Sequence, residues 1–212
     1  MDIVPGNLLV ISAPSGAGKT SLIHALIAQM DDIAVSISHT TRPSRANEKN
    51  GEDYFFVGET KFREMVQQNE FVEHAEVFGN LYGTAHAAIQ KSLDSGTDLL
   101  LEIDWQGARS ICRTHPQART IFILPPSATA LRERLIGRGR DDAQVIEERM
   151  RAAANEMSHF NEYEFLLVND DFDRTLDELS VIVRACRLNT ESQRRRLGPD
   201  IENLIASEGA IC

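Results

Sequence analysis

Leu8-Leu9-Val10-Ile11-Ser12-Ala13-Pro14-Ser15-Gly16-Ala17-Gly18-Lys19-Thr20 reads as an apolar strand, a glycine-bearing turn and the head of a helix. That order is the context a phosphate-binding P-loop requires. Gly16 and Gly18 free the backbone to curl, so that successive N–H groups face inward and cradle anionic oxygens. Leu22, Ile23, Leu26, Ile27 and Met30 recur at helical spacing, which predicts a helix from Thr20 to about Met30 with its positive end at the same point. Lys19 supplies a charge for the outer phosphates, and the Thr20 hydroxyl is an oxygen ligand for Mg²⁺. The strict pattern has glycine where this chain has Ala13. The expected ligands of Ala13, Pro14, Ser15, Gly16, Ala17, Gly18, Lys19 and Thr20 are therefore a nucleoside triphosphate and its magnesium.

The rest of the chain surrounds this unit with one α/β core. Its 212 residues suffice for a single sizeable domain and fall short of two. With 42% hydrophobic and 25% charged residues the composition is that of an ordinary globular protein. A formal charge of −10 argues against a general nucleic-acid binder, which shows a basic face. Clustered arginines can still make a local positive pocket. Cys112, Cys186 and Cys212 have neither metal-ligand spacing nor a disulfide framework, as expected in a reducing compartment. Neither a leader-like segment nor an apolar run of about 18 residues is found, so the expected setting is cytoplasmic and away from membranes.

Strands and helices alternate along most of the sequence. Ala34–Ser38 and Tyr54–Val57 read as short strands, Glu59–Asn69 as a helix, and Phe71–Phe78 with Tyr82 as strands around the Gly79-Asn80 turn. These short elements, from about 38 to 88, interrupt a longer rhythm and mark an inserted subdomain. The rhythm resumes with a helix over Ala85–Asp94, a strand over Thr97–Ile103 and a short helix over Gly107–Cys112. A strand over Thr120–Leu124 and a helix over Ala128–Ile136, capped by Ser127, come next. Asp141 and Gln144 then form a capping-box pattern before a helix through Met157. Strand Phe165–Asn169 and one long helix from about Leu176 to Arg196 close the pattern. Alternation of this kind predicts a mostly parallel sheet flanked by helices.

Three constellations carry chemistry. Leu99-Leu100-Leu101-Glu102-Ile103-Asp104 is an apolar strand ending in two carboxylates that share one side of the strand. They leave the sheet at its carboxyl edge, where open α/β sheets bind ligands. Arg42 and Arg45, with nearby hydroxyls and Tyr54, suit a phosphate held by charge-assisted hydrogen bonds, although the same residues also fit a solvated loop. Arg132, Arg134, Arg138, Arg140 and Arg149 form the third group. Arg134 and Arg138 share a helix face if the helix persists that far, and ion pairs with Glu133, Glu147 and Glu148 are the alternative use of these charges.

Five separate segments, in order and with matching spacing, resemble guanylate kinase of the bacterial type. They are Ser38-His39-Thr40-Thr41-Arg42, Asn50-Gly51-Glu52-Asp53-Tyr54, Phe71-Val72-Glu73-His74-Ala75, Gly79-Asn80-Leu81-Tyr82-Gly83-Thr84 and Glu102-Ile103-Asp104-Trp105-Gln106-Gly107. The resemblance covers roughly residues 6 to 187. It implies a P-loop nucleoside-monophosphate kinase that makes ADP and GDP from ATP and GMP, or the deoxy form of GMP, in purine metabolism. It further implies a core (about 1–37, 89–130 and 151–212), a GMP-binding insert (about 38–88) and a mobile lid (about 131–150). By the same resemblance Arg42, Arg45, Tyr54 and Tyr82 hold the GMP phosphate, and Ser38, Glu73 and Thr84 read guanine. Glu102 and Asp104 lie near the acceptor, Thr20 and Asp104 near the magnesium. Arg134, Arg138 and Arg149 close over the ATP phosphates beside Lys19.

Asn47 stands where the family usually has glycine, and Glu102 where aspartate is commoner; both keep the needed functional groups. Two rival readings are a P-loop kinase for another small phosphate acceptor and a non-catalytic interaction module of the same fold. Such modules resemble the enzyme with a degraded P-loop, whereas Gly16, Gly18, Lys19 and Thr20 are all present. Asn169-Asp170-Asp171 suits either an adenine contact or a turn. The apolar tail Ile201–Ile205 suits either the core or a partner subunit, which leaves a homo-oligomer open. Arg194-Arg195-Arg196 reads as a solvated helix end, and the six histidines have no metal-ligand spacing.

Overall fold

Residues 5–77, 79–137 and 143–208 are described by the structure, a computed structural model. In chain order the first elements are β1 (Leu8–Ser12), α1 (Lys19–Gln29), β2 (Ile33–Val35), β3 (His39–Thr40), β4 (Phe55–Phe56) and α2 (Glu59–Gln67). Then come β5 (Phe71–Val77), β6 (Asn80–Ala85), α3 (His86–Asp94), β7 (Asp98–Glu102), α4 (Trp105–Thr114) and β8 (Arg119–Leu124). The last are α5 (Ala128–Gly137), α6 (Ala143–Met157), β9 (Phe165–Val168), α7 (Phe172–Leu188) and α8 (Thr190–Glu208).

β1 is buried along its whole length because it lies at the centre of a five-stranded parallel sheet, ordered β2-β7-β1-β8-β9. Val10 pairs with Leu101 on one side and Thr120 on the other. Strand side chains alternate, so Leu9 and Ile11 pack with Leu22, Ile23 and Leu26 of α1 and Leu176, Leu179 and Val183 of α7. Leu8 and Val10 instead meet Leu99, Leu101, Ile89 of α3 and Ile111 of α4. Covering both faces is what requires a continuous apolar run rather than an alternating one. The chain passes to β2 on one side of β1 and later reaches β8 on the other, so the carboxyl end of β1 is the topological switch point.

A second, four-stranded sheet has the order β4-β3-β6-β5. β5 and β6 form an antiparallel hairpin, and Gly79 takes φ +72° in its turn. α2 covers this sheet through Phe62 and Met65, which pack with Phe71. α5 and α6 share Leu131, Leu135, Met150 and Ala153 and are joined across their surface by an Arg132–Glu147 ion pair.

Some expected boundaries are corrected. The long helix from Leu176 to Arg196 is two helices, α7 and α8, separated at Asn189, whose backbone is extended at φ −63°, ψ 153°. The Asn189 side chain donates to the Cys186 carbonyl at 2.5 Å and accepts the Ser192 N–H at 2.9 Å, ending one helix and capping the next. The acidic turn before α7 is also a cap, because Asp171 accepts the Arg174 N–H at 2.9 Å. α4 is longer than Gly107–Cys112, since Asp104 accepts the Gly107 N–H at 2.9 Å and starts the helix at Trp105. Strand Ala34–Ser38 is shorter, β2 ending at Val35. Asp141 of the capping box lies outside the described residues. Ile201, Leu204 and Ile205 are exposed on α8, so the tail does not pack into the core. Cys112 and Cys186 are free thiols, and Cys212 lies outside the described residues. Among the described residues no helix is long and apolar enough to cross a membrane.

Candidate active site

The turn after β1 has the curl its glycines predict, with Gly16 at φ +98° and Gly18 at φ +95°. A second reason fixes glycine at position 18: a Cβ there would stand 2.4 Å from Nδ2 of Asn169. Asn169, at the end of β9 and buried, donates through that nitrogen to the Ala17 carbonyl at 2.7 Å. Arg134 donates to the Asn169 carbonyl at 2.9 Å and to the Ala17 carbonyl at 3.4 Å. Of the two readings of Asn169-Asp170-Asp171, the asparagine thus fastens the loop and the aspartates open α7. Arg134, expected over the phosphates, holds the loop from behind. On the open side of the loop the Ser15 N–H donates to Glu156 Oε2 at 3.3 Å. Burial pushes the Glu156 carboxyl above its usual range, against the Lys19 charge and that hydrogen bond.

Lys19 reaches from the head of α1 to the end of β7. Its Nζ donates to the Ile103 carbonyl at 3.5 Å and lies 3.8 Å from Glu102 Oε1. The Thr20 hydroxyl donates to the same Glu102 oxygen at 2.6 Å. Asp104, expected beside Thr20, spends Oδ1 on the α4 N-terminus and accepts from Gln106 on Oδ2 at 3.2 Å. The carboxylate standing against Thr20 is Glu102.

In the second sheet Glu73, on β5, and Thr84, on β6, are paired across the hairpin. The Thr84 hydroxyl donates to Glu73 Oε1 at 2.7 Å and lies 3.2 Å from the Ser38 hydroxyl. Glu73 is only 4% exposed. Burial raises its carboxyl to about 7, against the Thr84 hydrogen bond and with help from the Asp104 charge. Gly107 of α4 closes over it: a Cβ there would be 2.7 Å from Glu73 Oε2. At the other end of the same sheet burial, then the Glu102 charge, raises the Tyr54 phenol to about 12, so it is a neutral donor at physiological pH.

One cavity of about 300 Å³ joins these groups. The P-loop with Lys19 and Thr20 forms one wall, and Ser38, Arg45, Tyr54, Glu73 and Tyr82 form the opposite one. Glu102 and Asp104 lie between them, with Arg149 and Glu156 of α6 at the side. Four expected residues stand off this wall. Thr84 is behind Glu73, Ala17 is turned to Asn169, Arg134 is behind the P-loop and Arg42 is paired with Glu48. Arg138 lies outside the described residues. Sequence reasoning missed Glu156, Gly107 as the residue closing over Glu73, and Glu48.

The sequence model of the family described as guanylate kinase matches residues 5–186. The chain belongs to the guanylate kinase family. A guanylate kinase of Alkalilimnicola ehrlichii is 52% identical over 202 residues, covering 95% of this chain and 100% of that protein. The guanylate kinase of Escherichia coli K12 is 52% identical over 203 residues, covering 95% and 98%. The crystal structure of a guanylate kinase from Anaplasma phagocytophilum superposes with a TM-score of 0.72 at 37% identity, covering 88% of this chain and 89% of that one. The guanylate kinase match takes in both sheets and ends within α7, leaving α8 beyond it.

Proposed function

We propose that the chain transfers the γ-phosphoryl group of ATP to GMP, giving ADP and GDP, with the ATP phosphates on the P-loop and GMP on the opposite wall. The observation that carries this reading is the buried Glu73 carboxylate, in one cavity with the phosphate cradle. Guanine presents N1–H and N2–H as adjacent donors, which one carboxylate accepts together. Adenine has an acceptor at N1 and no N2 amine, and would leave Glu73 buried and unpaired. Unpaired buried groups are what make hydrogen-bonding pockets discriminate strongly. The Thr84 hydroxyl orients the carboxylate from behind, and the Ser38 hydroxyl, which lines the cavity, is the donor within this wall that can turn toward O6.

Arg45, Tyr54 and Tyr82 converge where the GMP phosphate belongs, with Arg42 one layer behind. In this reading the segment from about 38 to 88 is the GMP-binding unit, and the α5–α6 pair, about 131–150, is the lid. Arg149 faces the cavity from the lid, and Arg138 is its expected companion.

The reaction needs no general base. A phosphate oxygen of GMP is already largely anionic near neutral pH, the second pKa being about 6. It forms the new bond to the γ-phosphorus as the bond to the ADP oxygen breaks. The work of the protein is alignment of two anions and stabilisation of the transferring charge. Lys19, the P-loop N–H groups and the lid arginines supply it.

Magnesium fits the donor set: the Thr20 hydroxyl and the Glu102 carboxylate are hard oxygen ligands at the cradle. Mg²⁺ usually takes one or two protein oxygens and fills its shell with water and phosphate. Among the described residues no cluster of three or more His, Cys, Asp or Glu side chains forms a dedicated metal cage, in keeping with such a shared site. Bound there, the ion neutralises phosphate charge.

A coupled assay of ADP release tests the proposal, with GMP, AMP, UMP and CMP as acceptors. GMP-selective turnover is expected. ATP consumption that is independent of GMP, or equal with another acceptor, overturns it.

A further inference from the structure

Glu48 stands behind the proposed phosphate site. Its two carboxylate oxygens accept from Nη2 of Arg42 at 2.8 and 2.9 Å, and Oε2 also accepts the Arg45 backbone N–H at 2.8 Å. The Glu48 N–H donates back to the Arg45 carbonyl at 3.0 Å, so the turn from 45 to 48 is closed by both side chain and backbone. Nη1 of Arg42 donates to the Pro43 carbonyl at 2.7 Å. The guanidinium carbon lies 5.4 Å from the Tyr54 ring centroid and 5.7 Å from that of Phe56, with the Tyr82 phenol beside it.

This is no ordinary surface ion pair. The Arg42 and Glu48 side chains are 14% and 15% exposed, and exposed pairs contribute little. Burial alone would raise the Glu48 carboxyl, yet the hydrogen bonds from Arg42 and Arg45 pull it below its usual range. Nor does Glu48 occupy the place of the phosphate, because the cavity wall is made by Arg45, Tyr54 and Tyr82.

We propose that Glu48 is a positioning residue for the acceptor's phosphate: it locks Arg42 against Tyr54 and Tyr82 and sets the turn that carries Arg45. Arginine otherwise has many rotamers to lose on binding, and a pre-formed fork spares that loss. The inference rests on the reading of this wall as the GMP phosphate site.

Glu48→Gln keeps the size of the side chain and removes its charge; Glu48→Asp keeps the charge and shortens the reach. Each is expected to raise KM for GMP about tenfold, equivalent to roughly 1.4 kcal/mol. KM for ATP and the affinity for guanosine, which has the base without the phosphate, should stay within about twofold. In an Arg42→Ala background the Glu48→Gln change should raise KM for GMP less than it does in the wild type, because the share that acts through Arg42 is already lost and only the share through the Arg45 turn remains. An unchanged or lowered KM for GMP overturns the proposal, as does an equal loss of guanosine binding. Arg45→Ala separates the two failures. If it raises KM for GMP while both Glu48 variants do not, only the positioning role falls. If it leaves KM for GMP unchanged, the site reading falls and this inference with it.

Discussion

Gly107 and Glu73 are in a contact that only glycine permits, since a Cβ on Gly107 would stand 2.7 Å from Glu73 Oε2. Alanine would favour the helix by about 1 kcal/mol on propensity alone, so stability and function should part company here. Gly107→Ala is expected to lower kcat/KM for GMP by about 10- to 100-fold, the scale of a small misplacement of a binding group. KM for ATP should hardly move. Steady-state kinetics with each substrate varied in turn check the split.

The Glu73 carboxyl titrates near 7 in the folded chain against 4.5 as the ordinary value. The native state therefore holds an extra proton between those values, and stability falls as the pH rises through that window. Fully ionised, the group costs on the order of 3 kcal/mol. Glu73→Gln should raise the Tm at pH 8 by several degrees and leave it near wild type at pH 4.5. Thermal unfolding across pH reads this directly.

Guanine needs the ionised form, so binding of GMP at pH 7 should release about half a proton from Glu73. Calorimetry in two buffers of different ionisation enthalpy measures that release, and Glu73→Gln should abolish this share of it.

Lys19 joins the P-loop to the end of β7, 3.8 Å from Glu102. In the proposed reaction its charge acts where the phosphoryl group moves. Lys19→Ala should lower kcat by about 10²-fold or more and leave the affinity for GMP within about twofold. A variant with wild-type turnover would remove Lys19 from the role assigned here.

Asn169→Ala takes away the 2.7 Å hydrogen bond to the Ala17 carbonyl and the atom that Gly18 packs upon. The cost should be about 1 kcal/mol, that of one hydrogen bond lost while Arg134 still donates to the same carbonyl, together with a higher KM for ATP and an unaltered KM for GMP. Denaturant unfolding and kinetics measure the two effects separately.

What the sequence reveals is what short stretches of chain determine. The β1 run, its glycines and the periodicity of α1 are local, and the sheet follows from their repetition along the chain. The break at Asn189 was also local, an Asn-x-x-Ser cap inside an apparently continuous helical pattern, and the apolar periodicity masked it. Contacts between distant segments are different. Asn169 meets Ala17 across 152 residues and Glu156 meets Ser15 across 141, and no local pattern encodes either. Glu73 reads as an ordinary strand carboxylate until α4 closes over it. The family resemblance implies its role, and the fold supplies the burial on which the proposed role rests.

The fastening of the P-loop by Asn169 also bears on synthesis. Residues 8–20 leave the ribosome early, yet the clasp that shapes their turn comes from the last strand of the sheet. A nascent chain cut short before β9 carries the whole motif and lacks its clasp. The shape of the loop is thus tied to completion of the sheet, which the motif alone does not supply.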